Sequence, residues 1–276
     1  MTLARSVLSV PGSSQRFLDK AINSTADVVM VDWEDGVAPA DKPAARQLTD
    51  GFLRSAAAAG QTVWVRINAS FTDHFSPDAA VANQWSGTPV PLVLPMATLA
   101  AVQRATEEIN AAPVIAMIET AEGVEHAADI ALFPRVIGLM FGEYDFLATM
   151  ASVGAARMSD TGWAKSRIVN AAAAAGKWAI AGPNADFNDH EGLVNQSVRE
   201  AGLGFSGKLG IHPSQLPTIN KAFSPAPAFV RWAQDLLAEL GKSHPLDGAF
   251  NFRGQMVDAP VIERARAAVR LAGDNR

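Results

Sequence analysis

Acidic side chains end two neighbouring apolar runs in the middle of this sequence. The run Val114–Ile118 is followed directly by Glu119, and the run Val136–Phe141 is followed by Gly-Glu-Tyr-Asp145. Mg²⁺ typically binds one or two carboxylates and completes its octahedron with water and substrate oxygens, so this pair could form half of a magnesium site. The same acids could instead cap the helices that follow them, because acids stabilise helix N-termini. Spacing alone leaves both interpretations open.

The segments that must position these acids alternate between strand and helix. Strand–helix alternation predicts parallel pairing with right-handed crossovers, and eight units favour a (β/α)₈ TIM barrel over an open sheet. No Gly-x-Gly-x-x-Gly follows the first run, which removes the main reason to expect a dinucleotide-binding sheet. The eight predicted strands are Arg5–Val10, Asp27–Asp32, Thr62–Ile67, Leu92–Leu94, Val114–Ile118, Val136–Phe141, Trp178–Ile180 and Phe205–Ile211.

A C-terminal extension follows the eighth unit. We predict a barrel domain over residues 1–223 and a helical extension over residues 224–276, with a glycine-bearing stretch inside it. Such a tail must pack on the barrel as a lid or on a neighbouring subunit as an arm, and both alternatives remain open.

Polar side chains collect at the predicted strand ends, which is where barrels carry their chemistry. An acidic cluster repels itself unless a cation lies in it, which favours the metal interpretation over capping. Arg66 among these acids could be a structural ion pair, or its planar donors could bind a carboxylate or an enolate oxygen. His212 could be a general base, but a helix-start histidine that donates to a backbone carbonyl is the interpretation we favour. The strand-end residues are Asp32, Glu34, Asp35, Arg66, Asn68, Glu119, Asp145 and His212.

Composition excludes several classes of function. The 28 acidic and 23 basic residues give a net charge of −5, with no basic run that would indicate nucleic-acid binding. There is no cysteine, so disulfides and thiolate sites are excluded. No apolar stretch approaches the roughly 20 residues of a membrane helix, and we expect a soluble, cytoplasmic protein. Motifs of serine hydrolases, P-loop NTPases and zincin proteases are absent.

Seven stretches together resemble one known family, the citrate lyase β-subunit-like enzymes. These are relatives of the citramalyl-CoA and malyl-CoA lyases in the 2-oxo acid aldolase superfamily. The stretches occur in family order, span residues 5 to 266, and are RSVLSVPGSSQRFLDKA, ADVVMVDWEDGVAPADKPAAR, VRIN, IETAEGVEHAADIA, FGEYDF, GFSGKLGIHPSQLPTIN and GQMVDAPVIERAR.

The resemblance implies an activity as well as a fold. The implied protein is a (β/α)₈ barrel, usually a homotrimer, that binds Mg²⁺ (with Mn²⁺ as the alternative ion) and a CoA thioester. It cleaves or forms a 3-hydroxyacyl-CoA such as citramalyl-CoA or malyl-CoA. The products of cleavage are acetyl-CoA and a 2-oxo acid, released through a metal-stabilised enolate.

The resemblance also implies roles for particular residues. Glu119 in IET and Asp145 in FGEYD correspond to the metal ligands. Arg66 in VRIN corresponds to the residue that holds the 2-oxo acid and its developing enolate, and Asn68 beside it is expected to bind substrate.

Further roles fall on the acidic DWEDGV stretch and on the extension. Glu34 and Asp35 correspond to residues that reach the metal site through water. Asp258 in GQMVDAP corresponds to the catalytic acid/base, which the extension brings into a neighbouring subunit's site.

This chain departs from the family pattern at two places near the pocket. Met96 stands where the family usually has lysine, with a nearby acid missing, and Ala181 stands where an aspartate usually precedes glycine. Two alternative functions follow. One is an aldolase that cleaves free 4-hydroxy-2-oxo acids without CoA, and the other is a non-catalytic paralogue that binds metal and acyl-CoA.

Overall fold

A computed structural model describes residues 4–85, 90–243 and 248–274 of the chain. By their contacts the residues form two compact units, one over Ala4–Asn220 and a second that begins at Lys221. No helix among the described residues has the length and apolar character needed to cross a membrane.

The first unit is a closed barrel of eight parallel strands in sequence order, with β8 paired to β1. The predicted (β/α)₈ architecture is therefore confirmed. All eight predicted strands are present, with ends shifted by at most a few residues. They are β1 (Ser6–Pro11), β2 (Val28–Asp32), β3 (Thr62–Arg66), β4 (Leu92–Leu94), β5 (Val114–Ile118), β6 (Val136–Phe141), β7 (Trp178–Ala181) and β8 (Gly207–Gly210).

Helices follow the strands around the outside of the barrel. The sequence pattern predicts one helix over 122–132, but the chain forms two, because His126 leaves helical geometry at φ −94° and ψ 11°. The helices of this unit are α1 (Gln15–Ala21), α2 (Lys42–Ala59), α3 (Phe75–Ala82), α4 (Leu99–Glu108), α5 (Ala121–Glu125), α6 (Ala127–Leu132), α7 (Glu143–Ser152), α8 (Gly162–Ala174), α9 (His190–Leu203) and α10 (Leu216–Ala222), the last crossing into the second unit.

The barrel interior is filled by side chains, as in other barrels of eight strands. Trp64 and Trp178 stack there with ring centroids 5.3 Å apart. Gly138 makes room for them, because a Cβ at this position would lie 2.5 Å from the Trp178 ring. The chemistry must therefore take place at the rim of the barrel and not in its centre.

The second unit consists of two helices and a β-hairpin around a small apolar core. The helices are α11 (Pro227–Ser243) and α12 (Ala259–Asp274), and the strands are β9 (Phe250–Phe252) and β10 (Gln255–Val257). The glycine-bearing stretch thus forms a hairpin. Arg253 and Gly254 turn it with positive φ angles of 54° and 84°, as two-residue hairpin loops require.

Candidate active site

Arg66 lies at the centre of an acidic group at the ends of β2 and β3. The strand register places Asp32 beside it. Nε of Arg66 donates to Oδ1 of Asp32 at 2.8 Å, and Nη2 donates to Oδ2 at 2.7 Å. Nη1 lies 2.8 Å from Oε2 of Glu34 and 3.6 Å from Oδ2 of Asp35. The structure therefore brings together four of the residues that the sequence places at the strand ends.

Asp32 fixes both the guanidinium and the turn that follows β2. Its carboxylate also accepts the backbone N–H of Glu34 at 2.8 Å and of Gly36 at 2.9 Å. Burial opposes its ionisation, but the charge and hydrogen bonds of Arg66 and these two N–H groups hold the pKa of Asp32 below its usual value. A Cβ on Gly36 would lie 2.5 Å from Oδ2, so the turn needs glycine there. The sequence places Asp32 at the rim but gives no sign of this bracing role.

Glu34 has a raised pKa and an oxygen without a hydrogen bond. Burial raises its pKa to about 8, with Asp35, Asp32 and Asp145 adding to the effect and Arg66 opposing it. Its Oε2 is buried and has no hydrogen-bond partner, although Arg66 lies within ion-pair distance. A buried acceptor without a donor is costly, so this oxygen suits a ligand or water that completes the site.

Glu119 is buried at the end of β5, and its side chain packs closely against the backbone at Met96 and Gly142. Its Oε2 accepts the backbone N–H of Met96 at 2.7 Å, and Met96 itself takes a positive φ of 49°. A Cβ on Gly142 would stand 2.7 Å from Cδ of Glu119 and closer still to Oε1 and Cγ. Burial raises the pKa of Glu119 well above its ordinary value, and the charges of Glu34 and Asp145 raise it further.

Asp145 lies in the first turn of α7 and is exposed. Its charge contributes to the raised pKa values of both Glu119 and Glu34, so the three carboxylates act on one another across the rim. Thr149 ties this helix to the site, donating to Asp145 O at 2.9 Å and approaching Glu119 O at 3.5 Å.

Glu119 does not cap the helix that follows it, whereas Asp145 lies in the first turn of α7, where an acid stabilises a helix N-terminus. Thr120, not Glu119, caps α5 by accepting the N–H of Gly123 at 2.9 Å. The N-cap of α7 is Gly142, and no side chain caps that helix. Capping therefore does not account for Glu119, and the place of Asp145 in the first turn of α7 is compatible with both capping and metal binding.

These carboxylates fit a magnesium ion. Glu119, Asp145 and Glu34 repel one another, and burial together with this repulsion raises the pKa of Glu119 and of Glu34. A divalent cation between the carboxylates would remove the repulsion. Among the described residues no set of three or more His, Asp and Glu side chains converges on a single point. A site with two protein carboxylates and otherwise water or substrate oxygens matches the preference of Mg²⁺.

Asn68 belongs to a buried network behind Arg66. Its Nδ2 donates to Asp78 Oδ2 at 2.7 Å, and its Oδ1 accepts from Lys42 Nζ at 2.7 Å. Lys42 also donates to the carbonyls of Trp33 and Glu34, which anchors the acidic turn. The structure therefore places Asn68 beside the site with its amide already bonded inside the protein.

The two remaining predicted residues are His212, shortly after β8, and Asp258. His212 accepts the N–H of Ser214 at 3.2 Å, starts a short 3₁₀ turn and stacks on Phe187 with centroids 5.3 Å apart. It starts a helical turn as the sequence predicts, but its ring accepts a backbone N–H where donation to a backbone carbonyl is predicted. Asp258 lies in the second unit, where its Oδ1 accepts the N–H of Val261 at 3.3 Å and begins α12.

The comparisons of this sequence with protein families and with known relatives agree on one family. Residues 5–213 match the family described as HpcH/HpaI aldolase/citrate lyase. The L-malyl-CoA/beta-methylmalyl-CoA lyase of Rhodobacter capsulatus is 32% identical over 98% of this chain and 95% of its own length. The mitochondrial citramalyl-CoA lyase of Rattus norvegicus is 31% identical over 97% of this chain and 86% of its own length.

Solved structures agree with the sequence relatives. The protein CitE from Mycobacterium tuberculosis, in complex with magnesium, acetoacetate and coenzyme A, superposes with a TM-score of 0.76. It shares 35% sequence identity, and the match covers 97% of both chains.

Proposed function

The chain belongs to the HpcH/HpaI aldolase/citrate lyase family and is a carbon–carbon lyase of it, and from that premise we propose its substrate and its chemistry. The reaction is Mg²⁺-dependent cleavage, or formation, of a 3-hydroxyacyl-CoA such as citramalyl-CoA or malyl-CoA. The cleavage products are acetyl-CoA and a 2-oxo acid. The observation that carries the proposal is the arrangement of Arg66, braced by Asp32, at the same rim as the carboxylates Glu119 and Asp145.

Glu119 and Asp145 would hold the metal, with Glu34 and Asp35 contacting it through water. Mg²⁺ is supported by the relatives' structures and by the oxygen-only donor set, and Mn²⁺ would fit the same donors. When bound, the ion supplies Lewis-acid stabilisation of negative charge on substrate oxygens. The Met96 N–H and the space beside Gly142 keep Glu119 in one orientation for this task.

Arg66 would bind the 2-oxo acid part of the substrate. Two of its N–H groups bond to Asp32, which leaves the other three of its five donors for substrate oxygens, with Glu34 beside them as counter-ion. A guanidinium fixed in this way is preorganised, and preorganised donors stabilise charge that develops in the transition state. Asn68 would act on substrate binding indirectly, because its bonds to Lys42 and Asp78 hold the acidic turn beside Arg66.

Cleavage requires two proton movements. A base removes the proton of the 3-hydroxyl group, the carbon–carbon bond breaks, and its electron pair passes into the thioester as an enolate. The hydroxyl carbon becomes the carbonyl of the 2-oxo acid, and the enolate carbon then takes a proton to give acetyl-CoA. Asp258 would carry the proton, delivered by the extension over residues 224–276 from a neighbouring subunit of a homotrimer.

Chromatography of CoA thioesters tests the substrate class. The protein is incubated with citramalyl-CoA and with malyl-CoA, with Mg²⁺ or with EDTA, and in parallel with free 4-hydroxy-2-oxo acids. We expect acetyl-CoA only from the thioesters and only with metal. Arg66→Lys should lower the rate at least a hundredfold, because lysine lacks the planar fork, whereas Arg54→Lys at an exposed position of α2 should not change it. Cleavage of the free acids alone would reject the proposal in favour of a CoA-independent aldolase.

A further inference from the structure

A buried charge network lies behind the helix that carries Asp145. The name covers four side chains, which are Glu143, Lys165, Glu200 and Lys208. Nζ of Lys165 lies 2.9 Å from Glu143 and 2.9 Å from Glu200, and Nζ of Lys208 lies 2.7 Å from Glu200. Two lysines and two glutamates leave it neutral, and none of these groups has a part in the proposed chemistry.

The network joins three outer helices to the ends of two strands. Glu143 is the first residue of α7, Lys165 lies on α8 and Glu200 on α9. Lys208 on β8 also donates to the carbonyl of Gly182, just beyond β7, at 2.6 Å. A Cβ on Gly182 would lie 2.8 Å from Phe141 O and 3.5 Å from Glu143 N, so Gly182 packs directly on the turn that starts α7.

Packing alone does not hold the start of α7. An open pocket of about 290 Å³ is lined in part by Glu143, Thr161, Lys165 and Glu200, so no other side chain packs against them on that side. Their positions therefore depend on the ion pairs and on the bond that Thr161 donates to Glu143. On the side of the metal site, the Thr149 hydroxyl also ties α7 to the strand end, but its contact with Glu119 O is long at 3.5 Å.

We propose that Glu143 and Lys165 are positioning residues, which set the first turn of α7 and thereby the place of Asp145 at the metal site. Asp145 is two residues beyond Glu143 in the same helical turn. Metal ligands must be held to within about half an ångström, and loss of supporting partners typically weakens metal binding about 10- to 100-fold. The inference rests on the proposed function, because it assumes that Asp145 binds the ion.

Mn²⁺ binding, measured by the electron paramagnetic resonance signal of the free ion, tests this role without relying on turnover. The variants are Glu143→Gln and Thr161→Val, and the control is Glu191→Gln in the exposed first turn of α9. We expect Kd for Mn²⁺ to rise about tenfold in Glu143→Gln and by a smaller factor in Thr161→Val, with no change in the control. In turnover assays KM for Mg²⁺ should rise, while kcat at saturating Mg²⁺ stays near that of the wild type.

An unchanged Kd in folded Glu143→Gln, with only a lower melting temperature, would overturn the inference and leave the network a purely stabilising role. If Glu143→Gln does not fold, the uncharged change Thr161→Val decides, and an unchanged Kd in that variant overturns the inference equally. Absence of Mn²⁺ binding by the wild type would overturn the proposed function together with it. If the wild type binds Mn²⁺ and the variants bind it with the same Kd, only the positioning role is rejected.

Discussion

Glycine and backbone geometry at single positions decide where the carboxylates of this site can lie. Glu119 occupies space that any side chain at position 142 would fill, and Asp32 depends in the same way on Gly36. The two glycines have no side-chain functional group, so a search for reactive side chains in the sequence overlooks them. Their importance comes from the close approach of a carboxylate to the backbone.

Gly142→Ala should displace Glu119 and weaken metal binding at least tenfold. The new Cβ would overlap the glutamate side chain, so Glu119 must leave its present orientation. Gly202→Ala is the matched control, since position 202 is an exposed helical site with nothing within 4 Å of an added Cβ. Alanine there should stabilise the protein by about 0.5–1 kcal/mol. Mn²⁺ titration of both variants, next to thermal melts, measures the difference. Equal affinity of Gly142→Ala and the wild type would show that Glu119 does not depend on this space.

The stabilising effect of Mg²⁺ should grow with pH. The pKa of Glu34 is about 8 and that of Glu119 is also raised, whereas an unfolded glutamate titrates near 4.5. Between pH 4.5 and about pH 8 the folded metal-free protein holds protons that the unfolded chain releases. Its free energy of unfolding therefore falls as pH rises. Mg²⁺ takes the place of those protons. At pH 8 and at a concentration 100 times its Kd, Mg²⁺ should add about 2.7 kcal/mol to the free energy of unfolding. The same concentration should add clearly less at pH 5.5.

Thermal melts with Mg²⁺ and with EDTA at several pH values measure this effect. Asp32 does not disturb the comparison, because its pKa is lowered and its stabilising contribution disappears only below its ordinary value of 3.8. Glu119→Gln should remove most of the pH dependence of the shift. A shift of the same size at pH 5.5 and pH 8 would contradict the assignment of these carboxylates to the metal.

At the scale of elements, periodicity and strand-end position account for most of what the sequence predicts. The eight apolar runs form the barrel strands because each is buried between the interior and a helix. Parallel strands bring their ends to one rim, which is why Arg66, Glu34 and Glu119 could be expected together. The hairpin in the extension and the break at His126 depend on local backbone angles, which apolar spacing does not encode.

The turn after β4 positions Glu119 through its backbone and not through the Met96 side chain. The Met96 N–H bonds to the carboxylate at a positive φ of 49°, a conformation that costs a non-glycine residue roughly 1 kcal/mol. Met96→Gly should therefore keep Kd for Mn²⁺ within about twofold without lowering the melting temperature. Met96→Pro, which has no N–H and cannot adopt this φ, should lose metal binding. A large loss of affinity in Met96→Gly would assign the role to the side chain instead.

At the scale of the whole molecule, the barrel supplies the charged rim, and Asp258 lies in a separate compact unit. A sequence can show which acid belongs to which motif, but it does not contain the arrangement of subunits that would bring Asp258 to a site. Asp258 also begins α12, so its replacement must preserve that cap.

Asp258→Asn and Asp258→Ser should both abolish turnover and leave metal binding unchanged. Asparagine and serine are as good as aspartate at a helix N-cap, so α12 should keep its stability, but neither can carry the proton. Rates and Mn²⁺ affinity are measured on the same samples. Wild-type turnover in either variant would remove Asp258 from the chemistry.

Mixed oligomers test whether the site is shared between subunits. Asp258→Asn and Glu119→Gln should each be inactive alone, but co-expressed chains would form some sites with a native Glu119 from one chain and a native Asp258 from its partner. We expect part of the activity to return in such mixtures. If mixed oligomers form and remain inactive, each site is built within one chain.

The most direct test of the account is Mn²⁺ titration of Glu119→Gln and Asp145→Asn against the wild type. Glu122→Gln, an exposed glutamate in the first turn of α5, serves as the matched control. The account predicts one ion per wild-type chain, the same Kd in the control, and a loss of at least a hundredfold in affinity in each ligand variant, together with loss of acetyl-CoA release. Unchanged Mn²⁺ affinity in folded Glu119→Gln and Asp145→Asn would contradict it.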